Sequence, residues 1–337
     1  MNNPCIFTIC AKNYIGLASI LEASVIRHNV GVDFFVVVAD EIDDDGLALN
    51  GNVLSAKSIL GLEQSLWVNM AFKYNLTEFC TAIKPFSIGY FFSKGYDKVI
   101  YMDPDTFVFS SMAPLLQDLD KVLAITTPHI TIPEFPYTGD LPDTSFLFNG
   151  INNFGFFAVR KSSKTINIIN WWKDRLTRYC FGEMIWALCV DQKWMDYLPA
   201  FLNSDELLVS DDLGLNLAPW NYHEREVVKE GEGYFVKSRR GLCERRDKLV
   251  FAHFAGYNYK ELATRGAVDN KARVRISNLK EYQDLDPVIS DYVRQVFSNR
   301  ELFNRYLGLL YSYGSFDNGV KIEKLHRRLY NGLNTYF

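Results

Sequence analysis

Two aspartates, Asp103 and Asp105, stand one residue apart in "KVIYMDPDTFVF", where an apolar run stops and then resumes at once. In an extended chain residues i and i+2 point the same way, so both carboxylates converge on one point. Buried and unpaired they would repel each other, and one would be forced to keep its proton. A divalent cation removes the conflict. Hard oxygen ligands suit Mg²⁺ or Mn²⁺, which keep positions open for water and phosphate oxygens. The competing structural reading is a turn, because Asp-Pro commonly opens one. The apolar flanks favour the cation, since these acids interrupt what reads as a core strand.

The elements that must position this pair read as an alternation. "PCIFTICA" is a first strand, and "KNYIGLASILEASVIRHN" carries Ile15, Leu17, Ala18, Leu21 and Val25 at helical spacing. "VDFFVVVAD" is apolar on both faces, as parallel strands covered by helices are, and ends at Asp40. The acidic loop "DEIDDDG" has no acid at its twelfth position and reads as a solvated turn. "LTEFCTAIKPFSIGYFFSKG" is helical, with Pro85 bending or restarting it. "KVLAITTP" and "NNFGFFAVR" are further strands, separated by the long irregular stretch "ITIPEFPYTGDLPDTSF". "SSKTINIINWWKDRLTRYC" is a helix capped by Ser162 or Ser163. The fold class is therefore α/β, a mostly parallel sheet with right-handed crossovers. After "KLVFAHFAGY" the pattern turns helical, which divides the chain into a catalytic domain over 1–260 and a helical subdomain over 261–337.

The 337 residues carry a net charge of −4, so global charge gives no case for nucleic-acid binding. Six scattered cysteines without a CxxC pair fit reduced thiols in a cytoplasmic protein. No leader pattern opens the chain and no apolar run is long enough to span a bilayer, so solubility or surface attachment is expected. A haloacid-dehalogenase-type phosphatase also places an aspartate pair after a strand. Its threonine, however, follows two residues after the second acid, whereas Thr106 here follows Asp105 directly.

With these motifs in order, residues 5–258 resemble the GT-A glycosyltransferases, in particular glycosyltransferase family 8 and related bacterial sugar transferases. "TICAKNY" is similar to the loop that holds nucleotide base and ribose, which implies donor contacts at Ala11, Asn13 and Tyr14, with Asp40 at the next strand end. The run from "TAIK" to "DPD" is similar to the family's path from a basic residue through a helix to the DxD motif, which sets Lys84 and Asp103 facing the donor diphosphate. "NGINNFGFFAVR" and "DQKWMDYLP" resemble the stretches bordering the donor sugar, giving Asn153, Asp191 and Gln192 as catalytic residues. "FAHFAGY" resembles the late segment whose histidine completes the metal site, which nominates His253 beside Asp103 and Asp105. The family's Lys-Pro-Trp after that histidine is missing, and only Lys260 follows.

The resemblance implies transfer of a sugar from a nucleotide-sugar donor, a UDP-sugar by family habit, to a glycan or lipid-linked acceptor, with Mn²⁺ or Mg²⁺ across the diphosphate. It also implies retention of configuration, while Asp191, Asp205, Asp211 or Asp212 could serve as the base of an inverting enzyme. Asp191 equally suits a helix N-cap. "LGLNLAPWNYHER" offers Trp220, Asn221 and Arg225 as an acceptor platform, or else a Trp that closes the core. "KSRRGLCERRDK" is a solvated hairpin, or a basic face for anionic lipid or a phosphate-bearing acceptor. "KIEKLHRRLY" is basic and amphipathic, which suits peripheral membrane contact or docking on the catalytic domain. The rival from another class is a catalytically silent nucleotide-sugar-binding module on the same fold.

Overall fold

The computed structural model describes residues 4–42, 51–265 and 281–313. Its strands in chain order are β1 (Cys5–Cys10), β2 (Asp33–Val38), β3 (Val53–Ser55), β4 (Lys98–Met102), β5 (Thr106–Val108), β6 (Ala124–Pro128) and β7 (Asn152–Arg160). There follow β8 (Gly182–Glu183), β9 (Leu188–Cys189), β10 (Leu207–Val209), β11 (Arg225–Glu230), β12 (Gly233–Ser238), β13 (Arg246–Lys248) and β14 (Phe251–His253). Seven of them form one sheet in the order β10-β6-β7-β4-β1-β2-β3. Only β7 runs against the others, pairing antiparallel with both β4 and β6. This is the mostly parallel mixed sheet, flanked by helices, that the alternation predicts.

Both faces of the sheet are covered, which explains the unbroken apolar strands. On one face Phe7, Tyr101 and Phe157 meet Ile88, Phe91, Trp172 and Leu176 from helices Lys84–Ser93 and Ser163–Tyr179. On the other, Ile6, Ile100 and Ala158 meet Leu21, Val25, Leu115 and Leu119. Local signals set the helix starts. Asn75 and Glu78 form a capping box ahead of Leu76–Ala82, and Pro85 falls in the first turn of Lys84–Ser93, so it restarts the helix. Ser162 caps Ser163–Tyr179 through the Thr165 amide.

Within "KLVFAHFAGY", β14 stands outside the main sheet and pairs antiparallel with β5. "KSRRGLCERRDK" lies in the β12–β13 hairpin of a small three-stranded sheet, and its arginines are answered by acids. Arg239 pairs with Asp284 at 2.8 Å, Arg245 with Asp211 and Asp247, and Arg246 with Glu230. Those pairs offset part of the hairpin's positive charge. Beyond residue 258 come helices Tyr259–Arg265, Asp286–Ser298 and Arg300–Tyr306. They bury Leu262, Val288, Tyr292 and Phe303 in one cluster with Leu17, Ile20 and Phe107. "KIEKLHRRLY" and the acidic loop beyond Ile42 lie outside the described residues. No described helix is long and apolar enough to cross a membrane.

Candidate active site

Parallel strands deliver their carboxyl ends to one edge, where sheets of this kind bind ligands. Here β1 ends before Ala11, β2 before Asp40, β4 before Asp103 and β6 before His129. Asp103 and Asp105 bridge the main sheet and the β5–β14 pair. The Asp103 amide donates to Gly155 O (2.8 Å), while Asp105 O accepts from the Phe254 amide (2.9 Å). Pro104 occupies the second position of the turn, which closes from the Thr106 amide and hydroxyl onto Asp103 O (3.1 and 2.7 Å). The turn that competes with metal binding in the sequence is therefore present, and it is what aims the carboxylates.

His253 stands opposite Thr106 in the β5–β14 register. Its Nε2 lies 3.0 Å from Asp105 Oδ1 and 3.7 Å from Asp103 Oδ2. One ligand atom from each of the three residues falls within 4.8 Å of the other two. Two carboxylates and an imidazole form a donor set for a hard divalent cation. Gly155 leaves the room: a Cβ there would come within 2.4 Å of His253 Cε1 and 2.7 Å of Asp103 Oδ2. Burial pushes the Asp105 carboxyl up, but His253 beside it prevails and holds it below its ordinary range. Burial likewise pushes His253 down, and the aspartates, Asp105 foremost, raise it above the usual histidine value. The Tyr101 hydroxyl donates to Asp103 Oδ1 at 2.5 Å.

Lys84 takes a different place from the one the resemblance implies. It is buried, donates to Phe154 O at 2.8 Å and to Asp191 Oδ2, and lies 4.1 Å from the centre of the Tyr101 ring. It neutralises Asp191 under the site, so it is not placed as a free cation toward a diphosphate. Asp191 does not cap the 3₁₀ turn Lys193–Tyr197; Gln192 holds that position without a side-chain bond. Burial raises the Asp191 carboxyl despite Lys84. Gln192 joins the Asn149 carbonyl (2.8 Å) to the Phe154 amide (3.4 Å). Asn153 Oδ1 accepts from the Gly155 amide (3.1 Å) and from Asn216 (3.2 Å).

Two cavities meet at Gly256. The first, about 550 Å³, is lined by Tyr14, Asp105, Tyr259, Lys260 and Glu261 among others. The Tyr14 and Tyr259 rings stand 4.5 Å apart. Ala11 is buried beside this edge, and Asn13 Oδ1 and Asp40 Oδ2 are buried without a hydrogen-bond partner among the described residues. The other carboxylate oxygen of Asp40 accepts from the Ser312 amide at 2.9 Å, so chain far away in sequence covers that end. The second cavity, about 410 Å³, is lined by Asn153, Gln192, Trp220 and His129 among others. Trp220 sets its ring edge-on to His253, with centroids 5.1 Å apart.

Asn221 and Arg225 are not at either surface. Asn221 is wholly buried and bonds the Ala218 amide and the carbonyls of Asn216 and His129. Arg225, equally buried, pairs with Glu224 at 3.0 Å and donates to Leu213 and Leu215 carbonyls. Both hold the Trp220 loop instead of offering a platform, because buried amides and guanidinia must be satisfied internally. His129, directly after β6, also belongs to this site, and no motif in the sequence marks it.

No family model matches the chain. It is 22% identical over 293 residues to the uncharacterized protein YfnF of Bacillus subtilis (strain 168), covering 85% of this chain and 93% of that one. Similar solved structures include the galactosyltransferase LgtC in complex with donor and acceptor sugar analogs, at 14% identity and a TM-score of 0.46, covering 93% of this chain and 99% of that one. A glycosyltransferase involved in glycosylation of the major capsid of PBCV-1 aligns at 14% identity and a TM-score of 0.41, over 77% of this chain and 96% of that one. Mouse xyloside xylosyltransferase 1 aligns at 11% identity and a TM-score of 0.40, over 66% of this chain and 90% of that one.

Proposed function

We propose that this protein is a metal-dependent glycosyltransferase. It moves a sugar from a nucleoside diphosphate donor, a UDP-sugar, to a hydroxyl of a glycan or lipid-linked glycan. The observation that carries this reading is the convergence of Asp103, Asp105 and His253 beside the line where the two cavities meet. Those three residues would hold Mn²⁺ or Mg²⁺. When bound, the cation supplies Lewis-acid stabilisation of the negative charge on the leaving diphosphate.

The chain's own residues do the rest. Tyr14 and Tyr259 offer aromatic faces to the base, with Asp40 and Asn13 as acceptors for ribose or base donors. Lys260 supplies a cationic group on the donor side, and Lys84 keeps Asp191 charge-neutral as a pair beneath the sugar. Asn153 and Gln192 present amides where the transferred sugar must turn between the cavities, orienting it by hydrogen bonds. Retention is favoured by the cavity linings. An inverting reaction needs a carboxylate base at the acceptor, and none of Asp191, Asp205, Asp211 and Asp212 lines either cavity. The reading includes a cytoplasmic enzyme with acceptors at a membrane surface, supported by the basic amphipathic pattern of "KIEKLHRRLY".

The test is release of nucleoside diphosphate from a panel of nucleotide sugars, with Mn²⁺ and with the metal chelated. Metal-dependent release, with a rise in melting temperature that needs both ligands, is the expected result. Binding without turnover would replace the enzyme by a silent module. Phosphate release from simple phosphomonoesters, with no response to any nucleotide sugar, would replace it by a phosphatase.

A further inference from the structure

The about 410 Å³ cavity lined by Asn153 and Gln192 is distinguished by what it lacks. Among the described residues, His129 is the only ionisable one in its lining, which otherwise consists of amides, a serine and apolar or aromatic side chains. His129 is itself buried, and its Nδ1 lies 2.9 Å from Gly150 O and 3.3 Å from Ile151 O. Carbonyl oxygens only accept, so Nδ1 carries the proton and Nε2 is left as an acceptor. Burial keeps the ring neutral, pushing its pKa down to about 4. Nε2 takes no hydrogen bond from any described residue.

A matching donor stands beside it. The Trp220 ring meets the His129 ring edge-on with centroids 5.5 Å apart. Trp220 is buried too, and its Nε1–H has no hydrogen-bond partner among the described residues. A neutral acceptor nitrogen and an indole donor left unanswered in one cavity suit groups that both donate and accept. Hydroxyls do so, and carboxylates and phosphates do not. A carboxylate or phosphate brought here would find no cationic side chain among the described lining residues and would lose its hydration uncompensated.

We propose that this cavity binds a neutral, hydroxyl-bearing sugar ring as the acceptor, that His129 Nε2 receives a hydrogen bond from one of its hydroxyls, and that anionic sugars are excluded. This deepens, and rests on, the reading of the neighbouring site as a glycosyltransferase. His129 acts by binding substrate; the same neutral ring is too weak a base to hold a proton at physiological pH.

Saturation-transfer NMR tests it on the full chain with Mn²⁺ and UDP present, using methyl hexosides and the corresponding methyl hexuronosides as probes. A neutral hexoside should bind at least about tenfold more tightly than its uronoside. His129→Phe, which keeps a ring and removes the acceptor, should weaken hexoside binding at least about tenfold. His129→Gln, whose amide oxygen restores an acceptor, should recover part of the loss. Equal binding of hexoside and uronoside, no hexoside binding to the wild-type protein, or unchanged binding by His129→Phe overturns the proposal. Should the Phe variant not fold, the neutral and anionic pair measured on the wild-type protein decides. No donor turnover is read here, so failure of the glycosyltransferase reading shows separately, as missing metal-dependent release of nucleoside diphosphate.

Discussion

The two cavities share Gly256 yet differ in their electrostatics. One brings Asp105, Lys260 and Glu261 to its wall, whereas the other offers one neutral imidazole and a set of amides. The cluster of Asp103, Asp105 and His253 stands beside the line where they meet. A half lined with charge suits a ligand whose own charge must be balanced. A half without charge suits one recognised by hydrogen bonds and ring faces alone. The buried ion pair Lys84–Asp191 belongs to neither. It lies behind the amide wall of the second cavity, Lys84 bonding the Phe154 carbonyl next to Asn153 and Asp191 directly preceding Gln192, at full burial, where an unpaired charge is costly.

That division can be broken from underneath first. Lys84→Met leaves Asp191 buried without its partner and should cost about 3–5 kcal/mol of stability, read from urea unfolding. A loss under about 1 kcal/mol would mean the pair does not hold the wall. Next, Asp103→Ala or Asp105→Ala should lower metal-dependent turnover by about 10²–10³-fold while the melting temperature of the metal-free protein holds within a few degrees. Unchanged turnover in both variants removes the cation from the charged half. Gly155→Ala pushes a methyl group toward His253 and Asp103 and should destabilise by about 1–3 kcal/mol, with weaker Mn²⁺ binding by calorimetry.

The smallest effect sharpens the comparison through pH. His253 is raised above the ordinary histidine value by Asp105, against the pull of burial. Its contribution to the stability of the metal-free protein is therefore complete below the unfolded-state pKa and is lost as pH rises through the raised folded value. Asp105 is lowered by His253, against the push of burial, so its contribution holds above the unfolded carboxylate value and is lost as pH falls through the lowered one. Between those two limits the ion pair stands. A cation needs the imidazole without its proton, so Mn²⁺ affinity should climb by up to about tenfold per pH unit below His253's pKa and level off above it. NMR titration of the metal-free protein should show that histidine titrating above the ordinary range, and lower in Asp105→Asn. Titration of His253 below the ordinary range in the wild-type protein would contradict the pairing.

Much of the scaffold was legible because its signals are local. The two-faced apolar run before Asp40, the capping pattern at Ser162 and the restart at Pro85 act within a few residues of where they appear. The pair at Asp103 and Asp105 was readable for the same reason, since extended geometry alone sets i and i+2 on one side. Partners across long separations were not. Lys84 finds Asp191 107 residues on, and nothing in either neighbourhood shows that the lysine turns inward instead of toward a phosphate. Asn221 and Arg225 look like an exposed polar platform beside Trp220, yet packing buries them as fasteners of that loop.

By itself, then, the sequence determined the alternating elements, the edge at which the strands end and the type of chemistry two adjacent carboxylates invite. Backbone periodicity and local hydrogen bonding suffice for those. Only the tertiary structure decided which groups meet there. It brought β14 onto β5 so that His253 faces Asp105, and it turned Lys84 under the floor. It also left His129 Nε2 and Trp220 Nε1 without a partner among the described residues, in a cavity whose described lining carries no formal charge. Those outcomes depend on how strands and loops far apart in the chain pack, and desolvation then forces each buried charge to find a partner wherever packing has put one.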